Sequence, residues 1–242
     1  MKKGTSTSEI PPLQQDNKVY YMPEEKATLF NEYFIAQSLT IRIDDELPKL
    51  HVHESTIAPL MFTKEMVTKV IRGLNPNKAV GPDLVHNKIL IKAVDFIAEP
   101  LSRLFTRSVN EHIFPKSWKV AHVTPIFKKG EKDVCKNYRP VSLLSCVGKV
   151  MERCVQMHVF DYLNVNNLLV PCQSGFLPCD STVFQLLAMY NDFCQALDKR
   201  ITSQTVFFDI SKAFDRVWHK GLIHKLHCIG IRGSLLNWFT DY

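Results

Sequence analysis

The sequence has 242 residues, of which 45% are hydrophobic and 22% are charged. This composition is ordinary for a globular protein, and the length suffices for one large domain or two small ones. No stretch approaches the ~20 apolar residues of a membrane span, and the polar N-terminus lacks the apolar core of a secretory signal. We therefore expect an intracellular protein, in the nucleus or the cytoplasm, that is neither secreted nor bound to a membrane.

The basic residues are concentrated in one stretch of the chain. The formal net charge is +6, and residues 116–153 hold nine Lys or Arg against three Asp or Glu. Such a cluster indicates a phosphate-bearing partner, although a solvated basic face would give the same pattern. The seven cysteines include no C-x-x-C pair, which argues against a disulfide framework or a zinc knuckle and fits a reducing compartment.

The first third of the chain is predicted to lead into the main domain. Residues 1–20 are polar, which is typical of a disordered segment or a linker. Residues 21–62 form a predicted helical connector, with a helix over 24–39. The apolar face of that helix consists of Leu29, Phe30, Tyr33, Phe34 and Leu39. Thr63 is typical of the N-cap of a helix that ends at Gly73.

The middle of the chain alternates helical and extended patterns. A turn-rich loop over 75–90 leads into a helical pattern over 88–113, which Pro100 is expected to break. A strand over 120–127 follows, and it ends in a charged turn at Gly130.

Two further helices are predicted from local signals. The chain is expected to be extended before Pro140 and helical from Ser142 onward. A helix running to about residue 199 is capped at Ser181 or Thr182.

Residues 205–220 read T-V-F-F-D-I-S-K-A-F-D-R-V-W-H-K. The pattern predicts a buried strand over 206–208 that ends on Asp209, followed by a helix over 212–226. A carboxylate at the end of a buried strand is costly to desolvate without a positive partner. A divalent cation, which prefers oxygen ligands, is one such partner. Capping of the following helix by Asp209 is the structural alternative.

This string resembles the first catalytic motif of reverse transcriptases, in the form found in non-LTR, LINE-like retrotransposons. Two positions depart from the family pattern. Leu84, directly after the K-A-V-G-P-D block, stands where a glycine is frequent, and Leu177, within the Q-S-G-F-L-P-C-D-S-T block, stands where an arginine is usual. Leucine cannot make a phosphate contact. The other blocks that resemble the family, in its order, are K-A-V-G-P-D at 78–83, P-I-F-K-K-G at 125–130, N-Y-R-P-V-S-L-L-S at 137–145 and Q-S-G-F-L-P-C-D-S-T at 173–182.

The resemblance implies a fold and an activity. The fold would be α+β: the fingers and the first part of the palm of a right-hand polymerase, over residues 63–242, with helices packed on a mostly antiparallel sheet. The activity would be nucleotidyl transfer from a dNTP to a primer 3′-OH, with an RNA template and a DNA primer as partners and Mg²⁺ as the cofactor. Asp209 would be the catalytic carboxylate and a metal ligand, with the backbone carbonyl of Ile210 beside it.

The resemblance also implies which residues contact the nucleotide. Lys128 or Lys129, together with Arg139, would contact the triphosphate. Phe214 would exclude the ribose 2′-OH, and the structural alternative for Phe214 is a core residue on the buried face of a helix.

One expected motif is missing from the sequence. No Y-x-D-D or F-x-D-D occurs in the 242 residues, so we expect the polymerase region to be truncated before the second catalytic motif. A two-metal site needs more than one carboxylate, because the two cations repel each other. Three interpretations stay open: a truncated and catalytically inactive reverse transcriptase, a non-catalytic RNA- or DNA-binding module, and an inert relic with an open sheet edge. The oligomeric state is unspecified.

Overall fold

A computed structural model describes residues 10–38 and 46–242. The described residues combine α-helices with two small antiparallel sheets, so the α+β prediction is confirmed at that level. The strands are β1 (Leu13–Gln15), β2 (Lys18–Tyr20), β3 (His122–Phe127) and β4 (Tyr138–Leu143). The helices are α1 (Pro23–Ser38), α2 (Lys64–Arg72), α3 (Asn87–Asn110), α4 (Cys146–Val165), α5 (Thr182–Asp198), α6 (His219–Cys228) and α7 (Ser234–Asp241).

The chain divides into two compact units. The first comprises Met1–Val159 and Lys212–Tyr242, and the second comprises Phe160–Ser211. The boundary predicted between residues 62 and 63 stays a prediction. Across the described ranges, no helix combines the length and the apolarity that crossing a bilayer requires.

A β-hairpin lies where a linker was predicted. Strands β1 and β2 pair in antiparallel register, so residues 13–20 are not disordered. Residues 1–9 lie outside the described ranges, and the linker alternative stays a prediction. Asp16 and Asn17 adopt φ angles of 52° and 62°, as a type I′ turn requires. Leu13 is fully buried, and this burial anchors a segment whose composition is otherwise polar.

Helix α1 confirms the helix predicted in the connector and joins the hairpin to the main domain. Leu29 and Phe30 are buried, whereas Leu39 lies outside the described residues. The Phe30 ring packs edge-on against Tyr138 at 4.9 Å between ring centroids. Leu13 belongs to the same apolar cluster, so the connector shares a core with strand β4.

Helices α2 and α3 pack against each other and follow their predicted limits with one exception. The Thr63 hydroxyl accepts a hydrogen bond from the Met66 N–H at 3.2 Å, and the helix ends at Gly73, both as predicted. The predicted break at Pro100 is wrong, because α3 continues through it. The carbonyl that loses its donor belongs to Phe96, whose 84% exposure places it on the solvent-facing side of α3.

The helix after β4 begins four residues later than predicted, at Cys146. Ser142 pairs with Val123 in the sheet, so the prediction that the helix begins at Ser142 is wrong. The cap is Ser145, whose hydroxyl accepts from the Gly148 N–H at 3.2 Å. The β-bridge holds Ser142 in an extended conformation, and the next serine supplies the helix N-cap.

An aromatic cluster holds the C-terminal helix within the first unit. Trp238 is 1% exposed, and its indole N–H donates to the Ser108 hydroxyl at 3.0 Å. Phe114 packs edge-on against both Trp238 and Tyr242. The Asp241 carboxylate accepts from the Phe114 backbone N–H at 2.7 Å and lies 3.0 Å from the Lys119 ammonium group. Burial and polar contacts together fix α7 against α3.

Candidate nucleotide-binding site

The β3–β4 hairpin carries the basic residues that the sequence singled out. The paired positions include Ile126 with Arg139 and Phe127 with Tyr138. The Lys128 N–H donates to the Asn137 carbonyl at 2.8 Å, so the antiparallel pairing extends one position beyond β3. Because hydrogen-bonded pairs recur at every second position, the pairs at 126/139 and 128/137 belong to the bonded set.

This register explains how the hairpin tolerates two prolines. Pro125 and Pro140 face each other, one position away from the bonded pairs. The N–H groups at that position take no part in the hydrogen bonds between the two strands, so the two prolines remove none of those bonds. Each proline also removes a donor from an outer strand edge, which limits unwanted pairing with another chain.

Lys128 and Arg139 are brought together on one face of the hairpin. Side chains two positions apart on a strand share a face, so Lys128 lies on the face of Ile126 and its partner Arg139. Diagonal neighbours of this kind are roughly 7–8 Å apart. Both side chains are exposed, and no described acidic residue forms an ion pair with either. Lys129 lies one residue further, in the bend outside the ladder.

The loop that joins the two strands is held by side chains that were not predicted as positioning residues. Gly130 has φ +91°, and a Cβ atom there would lie 2.8 Å from the Asn137 amide nitrogen. That amide donates to the Glu131 carbonyl at 2.8 Å, and the Tyr138 hydroxyl donates to the Lys132 carbonyl at 2.6 Å. The glycine that follows two lysines was the sequence signal for this turn. Asn137 begins the block at 137–145, but its sequence context indicated no role in holding the loop.

The structure contradicts the strand predicted over 206–208. Residues 201–210 have no regular structure, and Phe207 and Phe208 are 80% and 92% exposed. A strand needs a neighbour that satisfies its backbone groups, and no strand in the described part of the chain pairs with this segment. Asp209 and Ile210 are therefore exposed, within the second compact unit.

The helix predicted over 212–226 begins later than expected. Residues 211–216 form turns, and α6 starts at His219. Lys212 adopts φ 54°, a left-handed conformation that a helix cannot contain. Phe214 is 79% exposed, so the alternative of a core phenylalanine on a buried helical face is wrong.

The metal ligands that the resemblance implies, Asp209 and the Ile210 carbonyl, lie in one exposed segment. Asp209 is exposed in a segment without regular structure. Among the described residues, no group of three or more His, Cys, Asp or Glu side chains is arranged to hold a metal ion. The arrangement thus brings one lysine and one arginine onto the same face of the hairpin, where both can contact an anion.

The comparison with known proteins identifies the class. Residues 126–242 match the family model of the reverse transcriptase (RNA-dependent DNA polymerase). Residues 126–242 thus form a reverse transcriptase domain, and the chain is similar to the RNA-directed DNA polymerases of non-LTR retrotransposons, as the sequence motifs indicated.

Three relatives from fruit flies illustrate the similarity. The RNA-directed DNA polymerase from mobile element jockey of Drosophila melanogaster is 30% identical over 203 residues, which cover 84% of this chain and 22% of that protein. Its counterpart from Drosophila funebris is 31% identical, over 83% of this chain and 23% of that protein. The probable RNA-directed DNA polymerase from transposon BS of Drosophila melanogaster is 34% identical, over 67% and 18%. The chain thus spans about a fifth of the length of these curated relatives.

Proposed function

We propose that this chain forms the fingers and the first part of the palm of an RNA-directed DNA polymerase, and that its β3–β4 hairpin binds the triphosphate of the incoming dNTP. The observation that carries the proposal is the placement of Lys128 and Arg139 on one face of the hairpin without a described anionic partner. RNA template and DNA primer are the proposed macromolecular partners. The family membership supports this assignment.

The two cations suit different parts of a triphosphate. The guanidinium group of Arg139 offers a planar pair of donors for bidentate phosphate contact, and the ammonium group of Lys128 offers a compact point charge. Ile126 lies opposite Arg139 and is 48% exposed, so an apolar side chain borders the two charges. The hairpin register favours Lys128 over Lys129 as the second cation, because only Lys128 continues the ladder.

Asp209 and Phe214 have proposed roles that depend on groups outside the hairpin. We propose Asp209, with the Ile210 carbonyl, as a contributor to metal binding, and Phe214 as the side chain that disfavours a ribose 2′-OH. Reverse transcriptases generally use divalent metal ions, but the described residues supply a single proposed carboxylate. We therefore assign this chain nucleotide binding without a catalytic step, and we expect no dNTP incorporation by the chain alone.

Equilibrium binding of a fluorescent dNTP to the 242-residue chain tests the proposal. We expect R139A and K128A each to weaken binding by about 5- to 100-fold, which corresponds to roughly 1–3 kcal/mol for a charge-assisted contact. K129A is the matched control, since it removes an exposed lysine one residue away, and its effect should be under about threefold. Equal effects of the three substitutions, or no binding by the unsubstituted chain, would contradict the assignment.

A further inference from the structure

Helix α5, in the second compact unit, carries an apolar stripe at heptad spacing. Three members of the stripe recur every seven residues, and the others follow these by three or four positions. Residues at this spacing share one face of a helix, and the same repeat forms the seam between paired helices. The stripe, here termed the α5 seam, consists of Val183, Leu186, Leu187, Tyr190, Phe193 and Leu197.

The α5 seam is open to solvent along its whole length. Its six side chains are between 40% and 74% exposed. Met189 and Ala196 are partly buried, and at 3.6 residues per turn they lie on the opposite side of the helix. Gln185 lies on that opposite side too, and its side-chain oxygen accepts from the Ser174 hydroxyl at 2.5 Å. The second unit therefore contacts α5 from behind, and the seam points outward.

The size of the α5 seam indicates what kind of partner it can hold. Six large side chains exposed to this degree present on the order of 500 Å² of apolar surface. An open patch of that size is at the upper end for a monomer and often marks an interaction site. Specific interfaces bury about 800 Å² on each partner, and weak ones bury less. The seam thus fits one apolar helix of similar length in a weak complex.

A second copy of α5 is such a helix, because α5 is complementary to itself when two copies run antiparallel. If Tyr190 lies opposite Tyr190 of the other copy, Val183 lies opposite Leu197 and Leu187 lies opposite Phe193. Apolar side chains then meet along the whole seam, and the same contacts occur on both sides of the two-fold axis.

The charges at the ends of α5 match the same antiparallel arrangement. Asp180 precedes the helix, and Lys199 and Arg200 follow it. No described residue forms an ion pair with any of the three. A two-fold axis at Tyr190 places Arg200 of each copy beside Asp180 of the other. A parallel pair would instead place like charges side by side, which is unfavourable.

We infer that α5 binds α5 of a second copy of this chain, antiparallel and centred on Tyr190, so that the chain forms a weak symmetric dimer. The inference is independent of the dNTP contact proposed for the hairpin. An interface of this size gives a dissociation constant on the order of 10–100 µM. In more dilute solution α5 is unpaired and its backbone amides are open to exchange, and pairing protects them as the concentration rises.

Sedimentation velocity of the 242-residue chain, from about 1 µM to about 300 µM, tests the inference. We expect the mass to rise from 27.8 kDa toward twice that value. Y190R places two guanidinium groups opposite each other at the centre of the pair, and it should weaken dimerisation at least tenfold. F96R is the matched control, since it replaces an aromatic residue of α3 that is 84% exposed, and its effect should be under threefold. Circular dichroism verifies that both variants keep the native helix content.

A charge swap tests the antiparallel arrangement. D180K and R200E each place like charges together, so each should weaken dimerisation roughly 3- to 10-fold. The double variant D180K/R200E restores opposite charges across the pair and should dimerise within about twofold of the unsubstituted chain. Asp180 also accepts from the Ser181 N–H at 2.6 Å, so a purely local effect of D180K would persist in the double variant.

Three results would overturn the inference. The first is a monomer at every concentration, and slow exchange of α5 amides in that monomer would show that the chain itself covers the seam. The second is association that Y190R leaves unchanged, which would assign the contact to another surface. The third is a double variant as weak as D180K alone, which would exclude the antiparallel arrangement.

Discussion

At the scale of single residues, Gly81 shows why the K-A-V-G-P-D block has its glycine. A Cβ atom at this position would lie 2.5 Å from the Leu144 carbonyl carbon and 2.6 Å from its oxygen. Both atoms are backbone and cannot swing away, so any side chain would force the loop off the β4–α4 junction. The block thus has a packing role that is independent of any contact to nucleic acid.

We predict that G81A lowers the free energy of unfolding by about 1–3 kcal/mol, the usual cost of overpacking. Chemical denaturation of the full chain measures it. G175A is the matched control, because a Cβ atom on Gly175 meets nothing within 4 Å. If G81A were as stable as G175A, the close approach would not constrain the loop.

Tyr242 gives a second residue-scale prediction, which concerns pH. Burial raises the pKa of Tyr242 to about 12, and the nearby Glu152 carboxylate acts in the same direction. A raised pKa means that folding favours the neutral phenol. The unfolded chain ionises near pH 10 and the folded chain near 12, so stability is lost as the pH rises between these values.

We predict that Y242F makes unfolding less sensitive to pH between 10 and 12. Buried Tyr138 and Cys154 also have raised pKa values, so part of the dependence remains. At pH 7 the substitution removes the hydrogen bond from Tyr242 to Glu152, and it should cost about 1 kcal/mol, the usual net contribution of one hydrogen bond. An unchanged slope above pH 10 would contradict the assignment.

At the scale of elements, local signals predicted helix ends better than they predicted strands. Thr63 and Ser181 cap α2 and α5 as expected, because a cap is a contact between residues two or three positions apart. The strand predicted over 206–208 needs a partner strand from elsewhere in the chain, and apolar residues alone do not supply one. The β1–β2 hairpin was missed although Asp16 and Asn17 favour its turn, because the surrounding composition is polar.

Helix α5 differs from α3 in how many of its residues are buried. None of the residues of α5 is buried, whereas α3 buries eight, among them Val94 and Phe105. Several large apolar side chains of α5 are more than half exposed, including Leu186 and Leu197. Most helical stability in proteins comes from packing of an apolar face, so α5 lacks the usual support beyond its cap.

We predict that the backbone amides of α5 exchange with deuterium at least about tenfold faster than those in the centre of α3, a difference of roughly 1.4 kcal/mol in opening free energy. Exchange of the full chain, followed by peptic digestion and mass spectrometry, compares peptides from 182–198 and 87–110. Equally slow exchange in the two helices would contradict the prediction, because it would mean that the apolar face of α5 is covered in solution.

At the scale of the whole molecule, the sequence motifs led to the family but not to a complete site. The motifs at 125–130 and 137–145 are local, and the hairpin they form carries Lys128 and Arg139 as expected. The apolar residues before Asp209 predicted a buried strand that ends on this carboxylate. In the structure the segment is exposed and belongs to the second compact unit.

The central claim is that the β3–β4 hairpin is the nucleotide contact of this chain. Photocrosslinking of the 242-residue chain with an azido-dNTP, followed by mass spectrometric mapping of the labelled peptides, tests it most directly. The account predicts that labelling concentrates on residues 126–139 and is lost in R139A. Labelling that spares this segment, or that persists unchanged in R139A, would contradict it.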